Sequence, residues 1–210
     1  MDEALGLVNP DDATATYDMR EIIARIVDGS KFVEYRAEMG KTLLCGYAHL
    51  GGMGVGIVAN QKTHTMDKVR GFEMGGVIYV ESAEKAARFI MDCNQNLIPI
   101  LFVHDVNGFM VGKDSEHAGI IRAGAKLVSA VSNSVVPKIS LLVGGSFGAG
   151  HYAMCGKAYD PRFLFAWPTA RYSVMSGASA SKTLLQIEMA NLEKKGQTLT
   201  ESEQQKRLDK

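Results

Sequence analysis

The strongest constraint in this 210-residue sequence is a recurring pairing of apolar runs with glycine clusters. Runs at Lys41–His49, Val55–Asn60, Ile100–Val106 and Ile139–Val143 show little alternation between apolar and polar residues. Glycines gather at 46–56, 71–76, 108–112 and 144–150, where those runs end or meet. A strand that is apolar on both sides is buried on both faces. Glycine at its end permits a tight turn or a close approach of backbone to a ligand. Between the runs, Ala83, Ala86, Ala87, Ile90 and Cys93 fall at helical spacing, as do Ile120, Ile121, Gly124, Leu127, Val128 and Val131. Covered strands alternating with helices predict an α/β architecture. No internal repeat at a 20–50-residue period is present.

Local signals place the remaining elements. Asp18 is a helix N-cap, Ile22, Ile23 and Ile26 form the buried stripe, and Gly29 stops that helix. Gly51-Gly52-Met53-Gly54 turns a β-hairpin. Residues 61–76 read as a polar, glycine-rich surface loop. Ser82 starts and caps a helix, with Lys85 where a capping-box acid would sit. A helix is predicted over 116–133, a turn over 144–150, and a helix from near Ala149. Phe163–Trp167 and Tyr172–Met175 read as strands, 178–195 as a long helix, and 196–210 as a polar tail. Residues 1–16 look like a polar leader before one domain over 17–210. That domain ends in an uncapped charged stretch, as a C-terminally truncated domain would.

Composition removes several functions. Lys+Arg (23) balances Asp+Glu (23), so bulk charge draws in neither nucleic acid nor an anionic membrane. No apolar run approaches the ~20 residues of a membrane span, and the acidic start is unlike a signal peptide. The expectation is a cytoplasmic protein. Cys45, Cys93 and Cys155 form no CxxC pair, so neither a metal site nor a disulfide framework is expected.

Three short motifs invite catalytic readings. Gly40-Lys41-Thr42 resembles the end of a P-loop, but Tyr35 stands where its first glycine belongs. Ser179-Ala-Ser-Lys182 matches S-x-x-K without the partner motifs of penicillin-recognising enzymes. Gly144-Gly-Ser146-Phe-Gly148 is a formal G-x-S-x-G between strand and helix. Its histidine base would have to be His151, or one of the upstream His49, His64, His104 and His117. The same segment has a better reading as a helix start whose small residues leave backbone N–H groups open to an oxyanion. A third reading is that the glycines only let the helix pack tightly on the sheet.

A longer series of motifs weighs on that choice. Gly108-Phe-Met-Val-Gly112, Glu116-His-Ala-Gly-Ile-Ile-Arg-Ala-Gly-Ala-Lys126, Val136-Pro-Lys-Ile-Ser140, Gly144-Gly-Ser-Phe-Gly-Ala-Gly-His-Tyr-Ala-Met-Cys-Gly156 and Phe165-Ala-Trp-Pro-Thr169 occur in this order. Together they resemble the carboxyltransferase β subunits of biotin-dependent acyl-CoA carboxylases. The resemblance covers most of residues 17–178. It implies a crotonase-like spiral of ββα units, here a single C-terminal half-domain. The activity it implies is transfer of CO2 from carboxybiotin to an acyl-CoA through enolate and ureate oxyanion holes. The hole for biotin falls on the backbone amides of Ala149 and Gly150, with Gly148, Tyr152, Phe109, Gly108 and Gly112 at the substrate. Biotin on a carrier protein is the implied co-substrate. The implied partners are an N-terminal carboxyltransferase half, a biotin carboxylase, the biotin carrier protein, and further copies in a hexamer. Gly-Ala-Gly-x-Tyr-x-Met-Cys-Gly is similar to methylcrotonyl- and geranyl-type enzymes, although His151 stands where those carry asparagine. Alternatives are a glutaconyl-CoA decarboxylase-like subunit, a non-catalytic crotonase-fold assembly module and a ClpP-like serine peptidase.

Overall fold

The computed structural model describes residues 6–9, 15–67, 71–175, 177–194 and 199–208. It divides into two units, residues 1–172 and 173–210. The first unit begins with α1 (Met19–Ile26), followed by β1 (Val33–Glu34), β2 (Leu43–Leu50) and β3 (Met53–Asn60). Next come β4 (Thr65–Asp67), β5 (Gly71–Glu73), β6 (Val77–Ile78) and α2 (Val80–Gln95). Then follow β7 (Ile100–Val106), β8 (Gly108–Phe109), α3 (Lys113–Ala118) and α4 (Ile120–Asn133). Next along the chain are β9 (Lys138–Phe147), α5 (Gly148–Ala153) and β10 (Phe163–Ala166). The main sheet runs β1-β2-β3-β7-β9-β10, antiparallel through β3 and parallel from β3 onward. This is the α/β sheet that the covered strands predict.

From β2 to β9 the sheet is covered on both faces. On one, α2 and α4 pack over Leu43, Cys45, Val58 and Phe102. On the other, α1 contributes Met19, Ile22 and Ile23 to a cluster with Leu44, Ile57, Ala59 and Val103. Successive residues of β2 thus enter opposite cores, which is why its sequence shows no polar alternation. Each fully buried large apolar side chain, such as Phe89 or Phe102, contributes about 1.5–3 kcal/mol. Asp18 caps α1 by accepting the Arg20 N–H at 3.0 Å. The helix ends at Ile26, ahead of Gly29, because Val27 is already extended. Gly51 and Gly52 alone turn the hairpin with φ of +58° and +82°. The Asp28 carboxylate accepts both of their amides, at 3.0 and 2.7 Å.

Several sequence expectations are corrected. The predicted helix 116–133 is two helices, broken by Gly119 at φ +95°. Within the second helix the buried stripe is Ile120, Ala123, Gly124, Leu127 and Val131, and Ile121, one residue round from Ile120, is 74% exposed. The predicted turn over 144–150 is mostly strand, since β9 continues to Phe147. Gly144 permits this because a Cβ there would lie 2.5 Å from the Asp105 carboxyl carbon. Residues 61–76 are no simple surface loop. They contain the β4–β5 hairpin, and Gln61, Lys62 and Glu73 are buried. Gln61 Oε1 accepts the backbone N–H groups of Met19, Lys62 and Thr63. Ser82 lies inside the first turn of α2, where its hydroxyl accepts the Tyr79 N–H at 2.9 Å. Within the expected polar leader, Val8 is buried in the second core cluster.

The predicted strand 163–167 stops at Ala166, and all four residues of β10 are exposed. The strand expected at 172–175 lies at Arg171–Ser173. In the second unit, α6 (Gly177–Glu193) is the expected long helix, and α7 (Glu201–Leu208) lies in the polar tail. Arg207 and Glu188 pair at 2.9 Å between them. Among the described residues no helix is long and apolar enough to cross a membrane, and no cluster of His, Cys, Asp or Glu is placed to hold a metal ion. All three cysteines are free and buried. Burial pushes the thiols of Cys45 and Cys93 up to about 12 and that of Cys155 up to about 11.

Candidate oxyanion site at the strand-to-helix turn

β9 delivers its last residues into a sharp turn at Gly148, which has φ +50°. That left-handed conformation costs a non-glycine residue about 1–2 kcal/mol. α5 follows at once, and no side chain caps its first turn. First-turn N–H groups have no partner within a helix. Ala149 is exposed and Gly150 buried. A Cβ on Gly150 would meet Val106 Cγ2 at 2.6 Å and Gly108 Cα at 3.1 Å. Glycine at 150 therefore lets α5 press against the end of β7 and the start of β8.

The fold so brings Gly108, Gly148, Ala149 and Gly150 together from two glycine clusters. Tyr152, on the same short helix, is 49% exposed. Its ring meets Tyr159 edge-on at 6.0 Å. Phe109 turns instead toward α4, its ring 3.1 Å from the Cβ position of Gly124. Gly112 precedes α3 with open space where a Cβ would be.

Beneath the turn lies a polar chain that the sequence only half announces. Ser146 Oγ is 2.9 Å from His104 Nδ1 and 2.8 Å from His151 Nδ1. The Lys157 N–H donates to His151 Nε2 at 3.3 Å. Ser146 and His104 are fully buried and His151 is 4% exposed. Desolvation pushes the His104 pKa down to about 3, with His151 nearby adding to the effect. Burial also lowers that of His151. The G-x-S-x-G serine thus meets two histidines, one of them upstream. With no exposed surface, Ser146 offers no path to a substrate carbonyl, and the serine peptidase alternative loses its nucleophile.

A second buried network adjoins it. Lys62 Nζ pairs with Asp105 Oδ1 at 3.0 Å. Tyr17 donates to Asp105 Oδ2 at 2.8 Å, and the Gly145 N–H donates to Oδ1 at 2.9 Å. His104 and Asp105 are neighbours on β7, and Gly145 and Ser146 are neighbours on β9. The two networks therefore brace the same pair of strands just before the turn.

Comparison with known proteins decides the family. The carboxyl transferase domain family matches residues 2–210. The chain belongs to that family. It is 46% identical over 202 residues to the mitochondrial methylcrotonoyl-CoA carboxylase beta chain of Dictyostelium discoideum, covering 96% of this chain and 32% of that protein. The beta subunit of geranyl-CoA carboxylase from P. aeruginosa superposes with a TM-score of 0.79 at 44% identity, over 89% of this chain and 34% of that one. Transcarboxylase 12S, solved as a hexamer with hydrolysed methylmalonyl-coenzyme A bound, gives a TM-score of 0.82 at 30% identity, over 99% and 37%. The crotonase-like fold of these carboxyltransferase domains is the fold of this chain. The chain spans about a third of the length of the curated relatives it matches.

Proposed function

We propose that this chain is the C-terminal half of the carboxyltransferase component of a biotin-dependent acyl-CoA carboxylase, and that the α5 turn receives the ureido oxygen of biotin. The observation that carries the reading is the uncapped first turn of α5, with Gly150 wedged between Val106 and Gly108. Small residues at 148–150 leave the amides of Ala149 and Gly150 open to a ligand oxygen. The positive end of the helix favours charge building on that oxygen. Each preorganised donor of this kind lowers a barrier by about 3–4 kcal/mol.

The Ala149 and Gly150 amides would hold the ureido oxygen of carboxybiotin, which when bound would supply the CO2 and the nitrogen base. This chain's own contribution is electrostatic and positional. In this reading no side chain acts as base, because Ser146, His104 and His151 are sealed under the turn. Tyr152 forms a wall for the acyl group, with Gly108, Phe109, Gly112 and Gly148 shaping the approach. An N-terminal carboxyltransferase half supplies the thioester site, and a biotin carboxylase and biotin carrier protein complete the cycle. The working form is an oligomer, a hexamer by analogy with transcarboxylase. Free cysteines suit a reducing compartment such as the cytoplasm. A methylcrotonyl-type substrate fits the 46% identity to a methylcrotonoyl-CoA carboxylase chain and favours carboxylation over decarboxylation.

The test is Ala149→Pro in the intact carboxyltransferase. It deletes one amide donor at a solvent-facing position, and kcat should fall about 10²–10³-fold. Gly150→Val, which places atoms against Val106, should fall at least as far. Wild-type kcat in both variants would sink the assignment.

A further inference from the structure

We propose that Lys157, His151, Ser146 and His104 form a one-way hydrogen-bond relay that holds both ends of the β9–α5 turn and makes Ser146 and the two histidines positioning residues for the Ala149 and Gly150 amides. Its catalytic consequence rests on the oxyanion reading above; its proton order does not.

The direction follows from a single obligate donor. A backbone N–H can only donate, so the Lys157 N–H facing His151 Nε2 at 3.3 Å makes that nitrogen an acceptor. A ring that accepts at Nε2 is neutral and carries one proton, and burial shifts His151 in the same direction. The proton therefore sits on Nδ1, 2.8 Å from Ser146 Oγ, and is donated to the hydroxyl. The hydroxyl has one hydrogen of its own, which goes to His104 Nδ1 at 2.9 Å. His104 must then hold its proton on Nε2. That nitrogen makes no hydrogen bond of ordinary geometry, although the Met154 backbone favours a proton on the ring.

The relay joins β7 through His104, the end of β9 through Ser146, α5 through His151, and the following turn through Lys157. Ala149 and Gly150 lie in the chain between two of its members. His151 is further pinned from outside, since a Cβ on Gly156 would fall 2.2 Å from its ring. The Tyr172 ring lies 4.4 Å away from the same imidazole. A shift of either histidine would move the turn that carries the amides.

Two measurements test this. The first is ¹⁵N NMR of the 210-residue chain with labelled histidines at pH 7, assigned with His104→Gln and His151→Asn. The Nδ1–H tautomer is expected for His151 and the Nε2–H tautomer for His104. The opposite tautomer at either ring, or a charged ring, overturns the relay. The second is kinetics of the intact carboxyltransferase. Ser146→Ala should lower kcat at least tenfold with KM for acyl-CoA within twofold. His151→Asn, whose amide nitrogen can still donate to Ser146, should keep more kcat than His151→Leu. Equal loss in those two variants, an unchanged kcat in Ser146→Ala, or labelling of Ser146 by a fluorophosphonate overturns the positioning role. Failure of the oxyanion reading shows separately, as wild-type kcat in Ala149→Pro, and leaves the tautomers untouched.

Discussion

Lys62 Nζ lies 3.0 Å from Asp105 Oδ1, with the two side chains only 10% and 5% exposed. Both charges are far from bulk water, and Asp105 also accepts from Tyr17 and the Gly145 amide. Removing one partner of such a pair strands the other charge in the interior. Lys62→Met should destabilise the chain by about 3–5 kcal/mol, read as a lowered urea midpoint with an unchanged m-value. Asp105→Asn should also destabilise. The double variant should lose less than the sum of the two, because the stranded charge is gone. A strictly additive cycle would show that the two groups do not interact.

The neutral histidines give the fold a defined acid limit. Burial lets His104 take up a second ring proton only at about pH 3 in the folded chain, against 6.5 for an ordinary imidazole. Between those values the unfolded chain binds a proton that the folded chain does not, so stability falls as pH drops through that window. The slope from this one group approaches about 1.4 kcal/mol per pH unit. His151 is shifted in the same direction and adds to it. Urea unfolding from pH 7 to pH 4 should show this loss, and His104→Gln should flatten it. An equally steep acid limb in that variant would place the cause elsewhere.

Tyr152 is 49% exposed beside the proposed amides, which suits a wall that a substrate touches. Replacing such a wall shifts discrimination by about 1–3 kcal/mol per methylene. In the intact carboxyltransferase, kcat/KM for short saturated, branched unsaturated and long branched acyl-CoAs should change rank in Tyr152→Ile. Fold and biotin turnover should survive. A uniform loss across all three substrates would mean that the tyrosine supports the helix rather than selecting the acyl group.

Short-range physics was readable in the sequence, and long-range pairing was not. The Asp18 cap, the Gly51-Gly52 turn and the span Ile100–Val106 follow from rules that act over a few residues. The burial of Lys62 does not. A lysine in a glycine-rich polar segment reads as solvated until Asp105, 43 positions away, supplies its counter-charge. Nothing local singles out His104 among the four upstream histidines, because its partner Ser146 is 42 residues distant on a neighbouring strand. Ile121 was misplaced for a different reason. Helical spacing admits either neighbour at the edge of an apolar stripe, and Ile121 stands about 100° round the axis from Ile120, off the buried line of Ala123, Gly124, Leu127 and Val131. The turn at 148–150 could be located from glycine spacing together with the long series of motifs. The histidine chain beneath it had no periodic signature at all.

The close approach of Gly144 to Asp105 also limits how this site can change. A side chain at 144 and a carboxylate at 105 occupy the same volume, with carboxylate atoms 2.5–2.7 Å from where a Cβ would stand. The two positions cannot drift independently. A library randomised at 144 alone should return only glycine, whereas one randomised at 105 and 144 together should return small residues at 144 wherever 105 has been shortened. Shortening 105 in turn leaves Lys62 without its counter-charge. A stepwise mutational walk therefore reaches position 144 last, after both partners of the ion pair have already been replaced.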